Sequence, residues 1–86
     1  VNDFKIYPNP FSNSLTLEFD TKEIKPTSIT IQNIVGQLIV ETIWNGKSNI
    51  GKNKIDINNL QDLPKGEYII SIKQNDDIVS EKVIKL

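Results

Sequence analysis

Histidine, cysteine, methionine, arginine and alanine are all missing from this 86-residue chain. Without histidine or cysteine there is no general base of the usual kind beside a serine, and no thiol nucleophile. A serine–lysine pair would need a buried, neutral lysine, and no lysine lies in an apolar run that provides one. An enzyme is therefore not expected. The lack of cysteine excludes a disulfide framework and leaves the compartment open. All ten cations are lysines, which make poorer bidentate partners for phosphate or carboxylate than arginine. Set against eleven acids they leave a net charge of −1, so no nucleic-acid partner is expected. The absence of alanine argues against a helical domain. No apolar run is long enough to span a bilayer, so no transmembrane segment is expected, and no signal peptide is recognisable. Because the chain opens on Val1, we read it as a fragment of a larger protein, with any export signal upstream.

The chain is rich instead in isoleucine, with valine, threonine and a few aromatics, side chains that pack well on a pleated surface. Its length allows one domain and one core, burying roughly 60% of the unfolded surface. Asn2 to Tyr7 reads as a first strand, ended by Pro8 and Pro10 with Asn9 between them. Ser14 to Phe19 alternates most clearly, with Leu15, Leu17 and Phe19 on one face. Asp20 to Thr27, which includes Pro26, reads as a loop. Ser28 to Ile34 follows as a strand with Ile29 and Ile31 inward, then a turn at Gly36, where a positive φ is expected. Leu38 to Trp44 returns, apolar on both faces in places. Asn45-Gly46 carries a tight-turn signal, and Lys47 to Lys52 reads as an irregular connection. Further strands are expected at Lys54 to Asn58 (Ile55 and Ile57 inward), Glu67 to Lys73 (Tyr68, Ile70 and Ile72 inward) and Ile78 to Leu86. Between the first two of these, Leu60 and Leu63 are apolar anchors, with Pro64 and Gly66 forming a turn. About seven short strands with turns every 8–12 residues or so predict an all-β fold. A seven-stranded antiparallel β-sandwich, immunoglobulin-like, fits best; a small closed barrel is the alternative.

Few residues offer chemistry. Asp76-Asp77 is the one adjacent carboxylate pair, and it sits in a turn, where aspartate bonds local backbone. Asp56, Asn58, Asn59 and Asp62 supply oxygen ligands at short spacing, but the closing glutamate and glycine of a calcium loop are missing, so turn chemistry is the better account. No catalytic residue, metal or cofactor is expected. Trp44, Tyr7 and Phe11 could form a sugar-stacking platform, although Trp44 at a strand end is better placed to cap the core. Ile39, Ile43 and Ile69 fall on faces that alternation reserves for polar residues; they mark either a small association surface or packing under long loops.

The ordered motifs Tyr7-Pro8-Asn9-Pro10, Leu15-Thr16-Leu17, Ile29-Thr30-Ile31 through Gly36-Gln37-Leu38, Ile55-Asp56-Ile57, Leu63-Pro64-Lys65-Gly66-Glu67-Tyr68 and Lys82-Val83-Ile84-Lys85 cover the entire chain. Together they resemble the type A C-terminal sorting domain of proteins exported by the type IX secretion system of Bacteroidota, a family that also folds as a seven-strand sandwich. Asn33 stands where that family often has aspartate, and Leu86 extends past its usual terminal lysine.

The resemblance implies a secretion address, with residues 1–86 forming a single C-terminal sorting domain on a larger secreted protein. Its partners would be a covalently linked upstream passenger, an outer-membrane shuttle and a sortase that usually removes the domain. The passenger would then be secreted or held at the surface of a Gram-negative bacterium. Lys82, Val83, Ile84, Lys85 and Leu86 would be recognised by the machinery through an open backbone edge, the lysines orienting the encounter. Tyr7, Pro8, Asn9, Pro10, Gly36, Leu63, Pro64, Gly66 and Tyr68 would be mainly structural. A structural spacer, or an adhesive or carbohydrate-binding module, is the alternative.

Overall fold

The computed structural model describes residues 2–34 and 40–86. Its strands are β1 (Asn2–Tyr7), β2 (Leu15–Thr21), β3 (Pro26–Asn33), β4 (Val40–Lys47), β5 (Gly51–Ile57), β6 (Gly66–Gln74) and β7 (Asp77–Lys85), and no described residue is helical. They divide into two antiparallel sheets, ordered β1-β2-β5 and β4-β3-β6-β7, rather than closing into a barrel.

Alternation builds the core as expected. Leu15, Leu17 and Phe19 of β2 and Ile55 and Ile57 of β5 are buried between the sheets. From the other layer come Ile29 and Ile31 of β3, Tyr68, Ile70 and Ile72 of β6, and Val83 of β7. Each such aliphatic or aromatic side chain contributes roughly 1.5–3 kcal/mol by leaving water. Leu60 and Phe11 are buried from the loops.

Three expectations are corrected. Pro26 is not in a loop but opens β3, a position where the missing N–H costs no ladder bond. Asn45-Gly46 does not turn the chain and lies inside β4. Gly46 serves the core instead: a Cβ there would stand 2.8 Å from Cη2 of Trp44, so its absence gives the indole its place against the core cluster. The chain reverses beyond Ser48, at Gly51, whose φ of +94° suits glycine. Ile43 is the third correction. The register between β3 and β4 slips between Ile29↔Trp44 and Thr30↔Thr42, leaving Ile43 as the extra residue of a bulge. Both Ile43 and Trp44 therefore pack against the core, and Trp44 caps it as expected. Ile69 does face outward, half-buried, while Gly36 and Ile39 lie outside the described residues. Gly66, expected to form a turn with Pro64, has a positive φ of +148°.

The register places loops 8–14 and 58–65 and the last residue at one end of the sandwich. Loop 22–25, residues 48–50 and the 75–76 turn lie at the other. The molecule measures 35 × 22 × 18 Å along its principal axes.

Candidate recognition site

Two segments far apart in sequence meet at the first of these ends. β7 is an edge strand, so one row of its backbone groups faces away from β6. The proline loop comes to that row. The Asn9 carboxamide spans it from the side: Nδ2 donates to the Lys82 carbonyl (3.3 Å), and Oδ1 accepts from the Ile84 N–H (2.9 Å). Phe11 completes the contact with its backbone. Its N–H donates to the Ile84 carbonyl (2.8 Å), and its carbonyl accepts from the Leu86 N–H (2.9 Å), forming a parallel bridge with Lys85. Pro8 and Pro10 cannot donate, so Asn9 supplies with its side chain what the loop backbone lacks. Both X–Pro peptides, Tyr7–Pro8 and Asn9–Pro10, are cis.

Phe11 also anchors the loop from below. It is 1% exposed and meets Tyr68 edge-to-face, with ring centroids 6.5 Å apart. The Tyr68 hydroxyl donates to the Pro64 carbonyl (2.6 Å), and burial holds its pKa above the usual phenol value. Leu60 is tied in by its N–H to the Asn13 carbonyl (2.9 Å). Tyr7, on the outer surface, donates its hydroxyl to the Glu18 carboxylate. That bond raises the Tyr7 pKa, helped by slight desolvation and the nearby acids Glu18 and Asp56. The same bond lowers the pKa of Glu18; desolvation opposes it, and Lys52, Lys54 and Lys5 each add to the lowering.

The pleat divides the tail. Lys82, Ile84 and Leu86 point outward, whereas Val83 and Lys85 face the interior, 0% and 7% exposed. The Lys85 ammonium donates to the Leu86 carbonyl (2.8 Å). Lys82 is paired with Glu67 at 3.1 Å.

Residues 5–86 match the family described as the secretion system C-terminal sorting domain. The chain belongs to that family. It is a type IX secretion sorting domain, which supports a secreted or cell-surface protein. The family is a sorting signal, not a catalytic one. A relative, the ulvan lyase NLR42 of Nonlabens ulvanivorans, is 34% identical over 74 residues, covering 86% of this chain and 12% of the relative. No helix among the described residues is long and apolar enough to cross a membrane.

The sorting domain thus joins its opening and closing motifs physically, a contact that sequence reading did not foresee. The signal was there: an asparagine held between two prolines has a fixed backbone and a free carboxamide. The aromatic platform, by contrast, does not assemble. Phe11 is in the core and Trp44 is packed against it, leaving Tyr7 exposed. Asp56 of the proposed oxygen cluster accepts from the Thr16 hydroxyl (2.8 Å), while Asn58 and Asn59 are exposed, the latter with φ of 65°.

Proposed function

We propose that residues 1–86 act as one non-catalytic C-terminal domain of a larger secreted protein, read in its folded form by the type IX machinery. An outer-membrane shuttle would bind it and a sortase would then remove it from the covalently linked passenger. The observation that carries this reading is the clip between Asn9, Phe11 and the terminal strand, because it turns two family motifs into one surface. Of the tail residues 82–86, Lys82, Ile84 and Leu86 present side chains to a partner, next to the exposed Tyr7, Pro8 and Pro10. Val83 and Lys85 hold the strand in place from within. Contact through the tail is accordingly more apolar than its lysines suggest, since Lys82 is paired and Lys85 buried. Leu63, Pro64, Gly66 and Tyr68 act structurally.

We further read the sandwich as immunoglobulin-like. The Tyr68 hydroxyl bonds backbone four residues upstream, at the corner where the chain enters β6, as the tyrosine corner of such folds does. The fourth strand joins the sheet of β3 and β6 rather than that of β2 and β5.

The test is a fluorescent reporter fused to residues 1–86 in a type IX-competent host. The fusion should reach the medium or the cell surface. Removing Glu81 to Leu86 should trap it in the periplasm; normal secretion without those residues would overturn the proposal.

A further inference from the structure

The clip covers only the last part of the β7 edge. Outward backbone groups recur at every second residue, so those of Ile84 and the Lys82 carbonyl are followed upstream by those of Ser80 and Ile78. Among the described residues, no hydrogen bond reaches the outward N–H and C=O of Ile78 and Ser80. A short run of edge is therefore open between the 75–76 turn and Asn9.

The side chains along this run are not neutral. On the face shared with Val83 and Lys85, the open stretch carries Asp77, Val79 and Glu81. Val79 is half-buried at the rim of the core beside Ile72, while Asp77 and Glu81 are exposed and make no ion pair with a described residue. The sequence of features is acid, apolar, acid at the two-residue spacing of a strand. A second copy offering its own β7 would bring two sets of carboxylates onto one face, where like charges oppose pairing. A strand with basic, apolar and basic residues at alternate positions meets the opposite conditions. Its apolar residue extends the core rim at Val79, and its cations face Asp77 and Glu81.

We propose that the open stretch Ile78–Lys82 of β7 is a strand-addition site for an extended protein segment of alternating basic–apolar–basic character, and that Asn9 sets its limit. Main-chain bonds from Ile78 and Ser80 supply attachment, and Asp77 and Glu81 supply selection. Beyond Lys82 the edge is taken, so the incoming segment spans about five residues. That the secretion machinery supplies this segment rests on the function proposed above; the site itself does not.

The probe is the blocked heptapeptide Thr-Lys-Thr-Val-Thr-Lys-Thr, titrated to millimolar concentration against the isotope-labelled domain. Amide shifts and slowed exchange are expected at Ile78 to Lys82, and none from the peptide with glutamate in place of both lysines. Ser80→Pro removes one outward N–H and leaves the backbone ladder to β6 intact, losing only the Ser80–Ser71 hydroxyl bond (2.8 Å) that Ser80→Ala also loses, and should weaken the peptide at least about tenfold. Ser80→Ala keeps that N–H and should bind as the parent does. No shift with the basic peptide, equal shifts with the acidic one, or concentration-dependent self-pairing through these amides would overturn the site. In the reporter fusion, loss of export with Ser80→Pro and not with Ser80→Ala supports its use by the machinery, and equal export overturns that use. If the unaltered fusion is not exported, the sorting function falls and the titration alone decides the site.

Discussion

The two ends of this sandwich are closed by different physics. At the proline end, large apolar groups do the work: Phe11, Tyr68 and Leu60 are buried, and the hydrogen bonds of the clip sit over them. At the opposite end the ties are small and polar. Ser48, 2% exposed, donates its hydroxyl to the Glu23 carbonyl (3.1 Å), accepts from the Lys25 N–H (3.1 Å), and donates its own N–H to the Lys25 carbonyl (2.9 Å). The Asn53 amide accepts from Asn49 N–H (2.7 Å) and donates to the Asn49 and Gly51 carbonyls (2.9 and 3.2 Å), fixing the turn before β5. Buried Gln74 donates to the Thr27 hydroxyl (2.8 Å), leaving its Oε1 without a partner among the described residues. One end is thus held by area removed from water, the other by directed bonds that substitution leaves unsatisfied.

The largest expected effect follows from the first end. Phe11→Ala should cost about 3–5 kcal/mol, because it empties a fully packed site. It should also free the clip, so that the Leu86 amide exchanges faster while Ser48 stays protected. Denaturant unfolding combined with amide exchange checks both. An unchanged Ser48 region alongside a lost clip would sharpen the contrast; equal loosening of the two ends would break it.

Gly46→Val comes next. The added Cβ would meet the Trp44 ring at 2.8–2.9 Å, so the indole must move, at about 1–3 kcal/mol. Because the strain is with one ring, a cycle with Trp44→Leu should recover most of the loss, read as the non-additive part of the unfolding free energies. Full additivity would show that Gly46 serves the backbone instead.

These particulars also show what the amino-acid order reveals. The motif end was legible because its signals are strong: prolines end a strand, glycine opens β6, and alternation from Leu15 to Phe19 or Tyr68 to Ile72 names the core face. The other end was legible only in outline. Serine at position 48 and asparagine at 53 look like any loop residues, and their bonds are set by which loops the sheets bring together. Asn45-Gly46 misled because a glycine that makes room for a ring carries the same letter as one that turns a chain. The bulge at Ile43 was hidden for a related reason, since one inserted residue shifts the alternation without changing composition. For the site, the residues were nameable in advance but their division was not. Only register shows that Val83 and Lys85 turn inward.

The two polar ties rank below the aromatic anchor and can be set against each other. Ser48→Ala leaves the part-buried Lys25 N–H without the acceptor that the buried Ser48 hydroxyl supplies and should cost about 1–3 kcal/mol. Asn9→Ala exposes the Ile84 N–H and Lys82 carbonyl to water, which can replace the lost carboxamide, so about 0.5–1.5 kcal/mol is expected. Chemical denaturation of both variants tests the order. If Asn9→Ala proves the costlier, the clip stabilises the fold more than its exposed position implies.

The smallest effect concerns the outer surface beside the clip, where Tyr7 bonds to Glu18 between Lys5 and Lys54. Glu18 titrates lower in the folded chain, so its contribution is present above the unfolded carboxylate pKa of about 4.3 and lost as pH falls through the folded value. Tyr7 titrates higher, so its contribution is present below the unfolded phenol pKa of about 10 and lost as pH rises through the folded value. Tyr7→Phe removes both. The melting temperatures of the parent and the variant should therefore differ by a small, constant amount between about pH 5 and 9 and converge at both extremes. The partners are exposed, so salt should shrink the part owed to the flanking lysines and spare the part owed to the hydrogen bond. A difference that persists below pH 3 would mean the ring of Tyr7, not its hydroxyl, holds β1 against β2.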